Sequence, residues 1–161
     1  MSVKVTHKET FQVVETLESN MDMAADAKVT LALNASRTLD AASAPPATKS
    51  AFFKKALAAG AGTIDLTALP GTNGAVVDGT GLRMQAIKLA NPSSNANAIT
   101  IAKGAAAGYT GLGANFSLTL VPGAEAMLFN NDGGADIGAA NKTLDLTGTL
   151  TQALSVGIVL G

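Results

Sequence analysis

Apolar and polar residues alternate along much of this 161-residue chain. A period of two is the mark of β-strands with one buried face. The clearest case lies near the C-terminal end, where Leu154, Val156, Ile158 and Leu160 alternate with Ser155, Gly157 and Val159. Phe116, Leu118 and Leu120 alternate with Ser117 and Thr119, and the run stops at Val121-Pro122-Gly123, a good turn. Residues 124–129 then read as the returning strand of a hairpin, broken by Asn130-Asn131-Asp132-Gly133-Gly134. Ile99 and Ile101 flank Thr100 in another short strand, after a polar loop over 91–97. The apolar run 82–89 predicts a strand covered in part on both faces. Residues 63–69 and 143–147 complete the set. Their cores, Ile64-Asp65-Leu66-Thr67 and Leu144-Asp145-Leu146-Thr147, are nearly identical, but the flanks differ, so they read as two similar strands rather than a repeat. About seven short strands separated by Gly, Asn and Pro turns predict a β-sandwich or jelly roll over 61–161.

The first 60 residues read as an N-terminal extension. Val3, Val5, Phe11 and Val13 fall at even spacing in 3–17, giving one long strand or two joined near Lys8-Glu9. Residues 28–37, with Val29, Leu31 and Leu33 alternating against Thr30 and Ala32, look like its antiparallel partner. Residues 18–23 are a candidate loop or short helical turn, and 41–48, Ala-Ala-Ser-Ala-Pro-Pro-Ala-Thr, are linker-like. Residues 49–59 have some helical character, yet Phe52-Phe53-Lys54-Lys55 favours a strand. A long terminal hairpin either reaches a neighbouring subunit or extends the sheet within its own chain. The expected fold class is therefore all-β: a β-sandwich or jelly-roll-like domain with an N-terminal β-hairpin or extended arm.

Composition narrows the chemistry. Cysteine is absent and His7 is the one histidine, which removes disulfides, thiolate nucleophiles and multi-histidine metal sites. A Ser-His-Asp triad would have to use His7. A net charge of −1 leaves no overall basic footprint for nucleic acid, and 4% aromatic content is sparse for a stacking groove. No apolar stretch is long enough for a membrane-spanning helix, and no secretory signal is visible. The hydrophobic content of 47% leans on alanine, so the core is modest and suits a protein that buries further surface against neighbours. Charge is segregated along the chain. Residues 1–26 carry Lys4 and Lys8 against Glu9, Glu15, Glu18, Asp22 and Asp26, whereas 27–60 carry five basic residues against Asp40. Such blocks pair within a fold or between subunits of an array.

Candidate sites dissolve on inspection. Asn130, Asp132 and Asp136 have calcium-loop spacing, but the twelfth position of that loop is Asn141 rather than Glu; turn chemistry accounts for the segment. Gly79-Thr80-Gly81 and Gly111-Leu112-Gly113 lack the third glycine of a dinucleotide loop and read as turns. Glu125, in an apolar strand, is expected to be partly buried with Lys103 or Arg83 as partner, and it has no second carboxylate for acid–base work. His7 reads as a surface or subunit contact. The expectation is no catalytic residue, no cofactor and no metal site.

The segments Pro45-Pro46-Ala47-Thr48-Lys49-Ser50-Ala51-Phe52-Phe53, Gly62-Thr63-Ile64-Asp65-Leu66-Thr67, Leu69-Pro70-Gly71-Thr72-Asn73-Gly74, Asp78-Gly79-Thr80-Gly81-Leu82, Asn91-Pro92-Ser93 and Leu144-Asp145-Leu146-Thr147-Gly148 together carry a likeness. The chain resembles small virion structural proteins of tailed bacteriophages. The resemblance implies a non-enzymatic part of a particle: a capsid decoration or cement protein, or else a tail component. Its partners would be capsid or tail proteins of the same particle and further copies of itself as a homo-oligomer, without direct nucleic acid or membrane contact. Its place would be the virion. A separate reading is a receptor- or carbohydrate-binding module on a fibre, with Tyr109 as the exposed aromatic.

Overall fold

Alternation decides which face a strand buries, and the turns between alternating runs decide how many strands there are. The computed structural model describes residues 3–17, 27–130 and 134–161. In chain order the strands are β1 (Val5–Leu17), β2 (Ala27–Leu39), β3 (Lys49–Ala56), β4 (Ala61–Asp65), β5 (Leu69–Pro70), β6 (Val76–Val77), β7 (Met84–Ala90), β8 (Ile99–Lys103), β9 (Ser117–Leu120), β10 (Glu125–Phe129), β11 (Thr143–Thr147) and β12 (Ala153–Leu160). Among the described residues there is no helix. The fold is all-β, as the periodicity predicts. The candidate loop or turn at 18–23 lies outside the described residues.

Eight of the strands build two four-stranded sheets, in the orders β10-β7-β12-β3 and β4-β11-β8-β9. The antiparallel pairs β3–β12, β4–β11, β7–β10 and β8–β9 are nested one inside the next along the chain. A nested set of this kind is a long hairpin wound into two layers, which is jelly-roll wrapping. Leu154, Val156, Ile158 and Leu160 of β12 face Ile64, Leu144, Leu146, Ile99 and Ile101 of the opposite sheet in one continuous core. β3 belongs to this sandwich although it precedes residue 61, because its Ala51 is buried in that core and it pairs with β12 along all eight residues.

Two expectations shift in detail. The run 63–69 does not stay a strand. The Asp65 carboxylate accepts hydrogen bonds from the Thr67 amide at 2.9 Å and the Thr67 hydroxyl at 2.7 Å, turning the chain after β4. The linker-like stretch 41–48 is folded onto the sheet. Asp40 accepts the amides of Ser43 and Ala47 through its carbonyl, and Ala47 is buried with Val3, Leu39, Ala86 and Val159.

Tyr109 is the larger correction. Sequence context suggests an exposed ring, but the residue is 0% exposed and belongs to the main core. Its hydroxyl donates to the Ala135 carbonyl at 3.0 Å and accepts the Met84 amide at 3.2 Å. The glycines around it misled the reading: Gly111 stands against the ring, where a Cβ would come within 2.3 Å of the hydroxyl. Small neighbours here make room for a buried ring rather than expose it. Burial pushes the phenol above its ordinary value, the Met84 amide opposing it only in part.

Tyr109→Phe keeps the packing and strands a buried amide and carbonyl, so it is expected to cost about 1–3 kcal/mol in denaturant unfolding at neutral pH. Because the folded phenol titrates above the unfolded one, its contribution is complete below about pH 10 and is lost as pH rises through the folded value. Alkaline loss of stability is therefore expected to be shallower in the phenylalanine variant.

Candidate functional site

The two sheets differ on their outer faces. On β4-β11-β8-β9 the outward residues are polar and satisfied by one another: Thr63 donates to Asp145 at 2.9 Å, and Thr100 and Thr119 are bonded at 2.8 Å. Asp145 also accepts the Ala105 amide at 2.8 Å. Of the two near-identical tetrapeptides, the second thus staples a loop, and the first turns the chain at Asp65. The tetrapeptides are neighbours in the sheet, with Leu144 opposite Ile64.

The outer face of β10-β7-β12-β3 is mostly apolar in its first row and mixed beyond it. Its register sets out successive rows across the strands: Ser50, Val159, Ala86 and Phe129; then Phe52, Gly157, Lys88 and Met127; then Lys54, Ser155, Ala90 and Glu125. Val3, Val5, Leu39 and Ala47 cover the first row, making a second small core with Met127 and Phe129. Arg37 adds its guanidinium over the Phe129 ring, 5.3 Å from the centroid. Beyond Met127 the next two rows are largely uncovered by the described residues. They form a groove of about 320 Å³ floored by Ala90, Ser155 and Gly157 and walled by Phe52 and Lys88. Phe52 is 59% exposed and lies across Gly157, where a Cβ would approach the ring to 2.6 Å. Gly157 in a central strand is therefore a seat for that ring.

The second feature is the hairpin. β1 and β2 pair through thirteen positions without a bulge, Val5 opposite Leu39 and Leu17 opposite Ala27. At 3.3–3.4 Å per residue the ribbon is roughly 40 Å long. The register puts Val5, Glu9, Phe11, Val13 and Glu15 on one face with Leu31, Leu33, Ala35, Arg37 and Leu39, and puts Thr6, Lys8, Thr10, Gln12, Thr30, Asn34, Ser36 and Thr38 on the other. Val14 and Ala32 are the apolar exceptions on the polar face. The base of the apolar face, Val5 and Leu39, is the part that packs on the sandwich. Farther out, Phe11 faces Leu33 and Val13 faces Leu31 with none of the described residues packed over them, Phe11 65% and Leu33 76% exposed. Two-stranded ribbons are marginal in water, and covering these four side chains contributes on the order of 1.5–3 kcal/mol for each one fully buried.

The chemistry-bearing residues are scattered. His7 stands on β1 opposite Arg37, and its side chain lies outside the described part of the structure. Glu125 is exposed rather than partly buried, and it is paired with Lys88 on the same outer face, not with Lys103 or Arg83. Strand parity explains this: Lys88 and Glu125 fall on adjacent outward rows, and Arg83 is engaged with Asp136 at 2.6 Å. Of the calcium-loop candidates, Asp132 lies outside the described residues, and Asp136 is the carboxylate that Arg83 holds. Among the described residues no group of three or more His, Cys, Asp or Glu is placed to hold a metal. Sequence reasoning missed Asn91 and Gln152, which are buried and tie the 91–97 loop to β9 and β12: Asn91 donates to the Leu120 carbonyl at 2.8 Å and Gln152 to the Asn97 carbonyl at 2.7 Å. Compared with family models, curated proteins and solved structures, the chain matches none of them.

The Asp65 carboxyl is raised by desolvation, but hydrogen bonds from Lys142 at 2.7 Å and from Thr67 outweigh that and hold it below the ordinary carboxylate value. A lowered folded value stabilises the fold above the unfolded value, near pH 4, and the contribution disappears as pH falls through the folded one. Asp65→Asn is expected to be less stable than the parent at neutral pH, with the gap closing in acid. Urea midpoints taken across that range measure it.

Proposed function

We propose that this protein is a non-enzymatic virion structural protein of a tailed phage that works by covering area, most directly as a capsid decoration or cement protein. The observation that carries the reading is the exposed apolar face of the hairpin, Phe11, Val13, Leu31 and Leu33, on a domain whose outer sheet also leaves Phe52 exposed beside an open groove. Exposed apolar patches of this kind mark interaction surfaces. Repetition around a symmetric shell multiplies modest contacts through avidity. The loop wording shared with small phage structural proteins supplies the particle. Wound strands and stapled loops make a stiff block, and a stiff block with sticky edges suits a lattice.

Catalysis has little support. The three ion pairs formed among the described residues, Arg83–Asp136, Lys88–Glu125 and Lys142–Asp65, are all at least partly exposed, and structural pairing accounts for each. A tail component remains the second reading, because hairpin-mediated contacts serve a ring as well as a shell. The sugar-binding reading rested on an exposed Tyr109, and that ring is in the core.

Immunogold labelling of tailed-phage particles from the source of this chain, with antibody raised on the purified protein, tests the reading. Gold over the heads is expected. Gold confined to tails moves the assignment to the tail. Particles without label, with all of the protein in the soluble fraction, overturn it.

A further inference from the structure

Both unfinished surfaces of the molecule expose large apolar side chains, and the hairpin carboxylates have an opposite charge in Lys54 beside the groove. On the hairpin, the carboxylates of Glu9 and Glu15 bracket the exposed quartet Phe11, Val13, Leu31 and Leu33 on the same face. On the sandwich, the groove beside Phe52 is flanked on its β3 side by Lys54, while Lys88 in its wall is already paired with Glu125. The groove is the outward continuation of the strip on which the base of the hairpin already sits, one row farther along the same sheet. In its own chain the hairpin covers the first row and leaves the next two largely uncovered among the described residues.

We propose that the outer half of the hairpin of one copy docks its Phe11 and Leu33 face into the Phe52–Gly157–Ala90 groove of a second copy, with Glu15 meeting Lys54. The occupant is thus this same chain, and the contact is heterologous: hairpin to groove, not hairpin to hairpin. A contact of this type closes into a ring or runs on as a filament according to the rotation it imposes. The apolar part supplies most of the association energy, and the opposed charges set register and orientation. Phe52 contributes twice, as the wall of the groove and as an exposed ring able to bury on the order of 150–250 Å² against the arriving hairpin. The proposal rests on the structural reading above, since an assembling protein needs a self-contact, but it is a statement about which surfaces meet and stands or falls separately.

A hairpin-to-groove contact has a signature that a hairpin-to-hairpin one lacks. Glu15→Lys and Lys54→Glu lie on exposed positions, so each variant is expected to fold, with unchanged circular dichroism and melting. Each alone is expected to weaken self-association by roughly tenfold or more in sedimentation velocity, because like charges then meet at the contact. Mixing the two variants is expected to restore association. In a mixed chain of copies every contact is then either native or a reversed but still opposite pair. Phe52→Ala is expected to weaken association without rescue by either partner. The proposal is overturned if the mixture stays dissociated, if Phe52→Ala associates like the parent, or if the parent protein itself does not associate at high concentration. Label on virions together with an unrescued mixture removes this contact and leaves the virion reading standing. A rescued mixture with no label on virions does the reverse.

Discussion

A sheet that buries residues on both faces must be covered twice. That constraint falls on β12 and β7, the central strands of β10-β7-β12-β3, whose buried residues appear on both sides: Val156, Ile158, Ile87 and Leu89 toward the sandwich core, Val159 and Ala86 away from it. The second sheet covers the inner side. On the outer side, among the described residues, the cover is Val3, Val5, Leu39 and Ala47, enough for about one row. The ordering of 41–48, the anchoring of the hairpin base and the open groove beside Phe52 all follow from that half-finished cover. The opposite sheet needs no second cover, since its outward threonines and Asp145 are polar and bonded to one another.

Much of this was legible in the sequence because it rests on period two. The long strands of the hairpin, the strand character of Phe52-Phe53-Lys54-Lys55 and the terminal strand all follow from alternation, which encodes the face directly. What alternation does not encode is the partner of each face. Residues 49–56 read as part of an extension because their membership of the sandwich depends on pairing with β12, about a hundred residues later in the chain. Tyr109 and Glu125 failed for the same reason in opposite directions. The glycines near Tyr109 looked like an exposed loop until the chain returned over it through Ala135. The apolar neighbours of Glu125 suggested burial, but its parity sends it outward to Lys88. The open groove was not legible at all, since its floor and walls come from three strands far apart in sequence.

The carboxylates and cations show how little chemistry the fold concentrates. Asp65 turns a loop, Asp145 staples one, and Asp136 holds Arg83. Each has a local structural task, and the tasks lie on different elements. An active site needs several such groups converging on one point with shifted proton affinities. Here burial raises the Asp65 carboxyl but the Lys142 hydrogen bond, and after it those of Thr67, lower it on balance, and the hydroxyl and amide of Thr80 lower that of Asp78. Those are the electrostatics of well-made turns.

The hairpin then carries an energetic consequence for assembly. Its outer half has cross-strand pairs but, among the described residues, no layer beneath it, and a ribbon in that state gains little from folding alone. Covering Phe11, Val13, Leu31 and Leu33 with another surface supplies the missing layer, so ordering of the ribbon and association draw on the same free energy. Under the proposed contact, a free subunit is held in reserve by the cost of ordering its arm, and a growing array offers each new arm a preformed groove. Association is then favoured where grooves are already displayed side by side, at the edge of a lattice, over association between isolated copies. A small, alanine-rich protein with a modest core gains from this arrangement: the stability its own interior does not supply is recovered from the neighbour that its arm reaches.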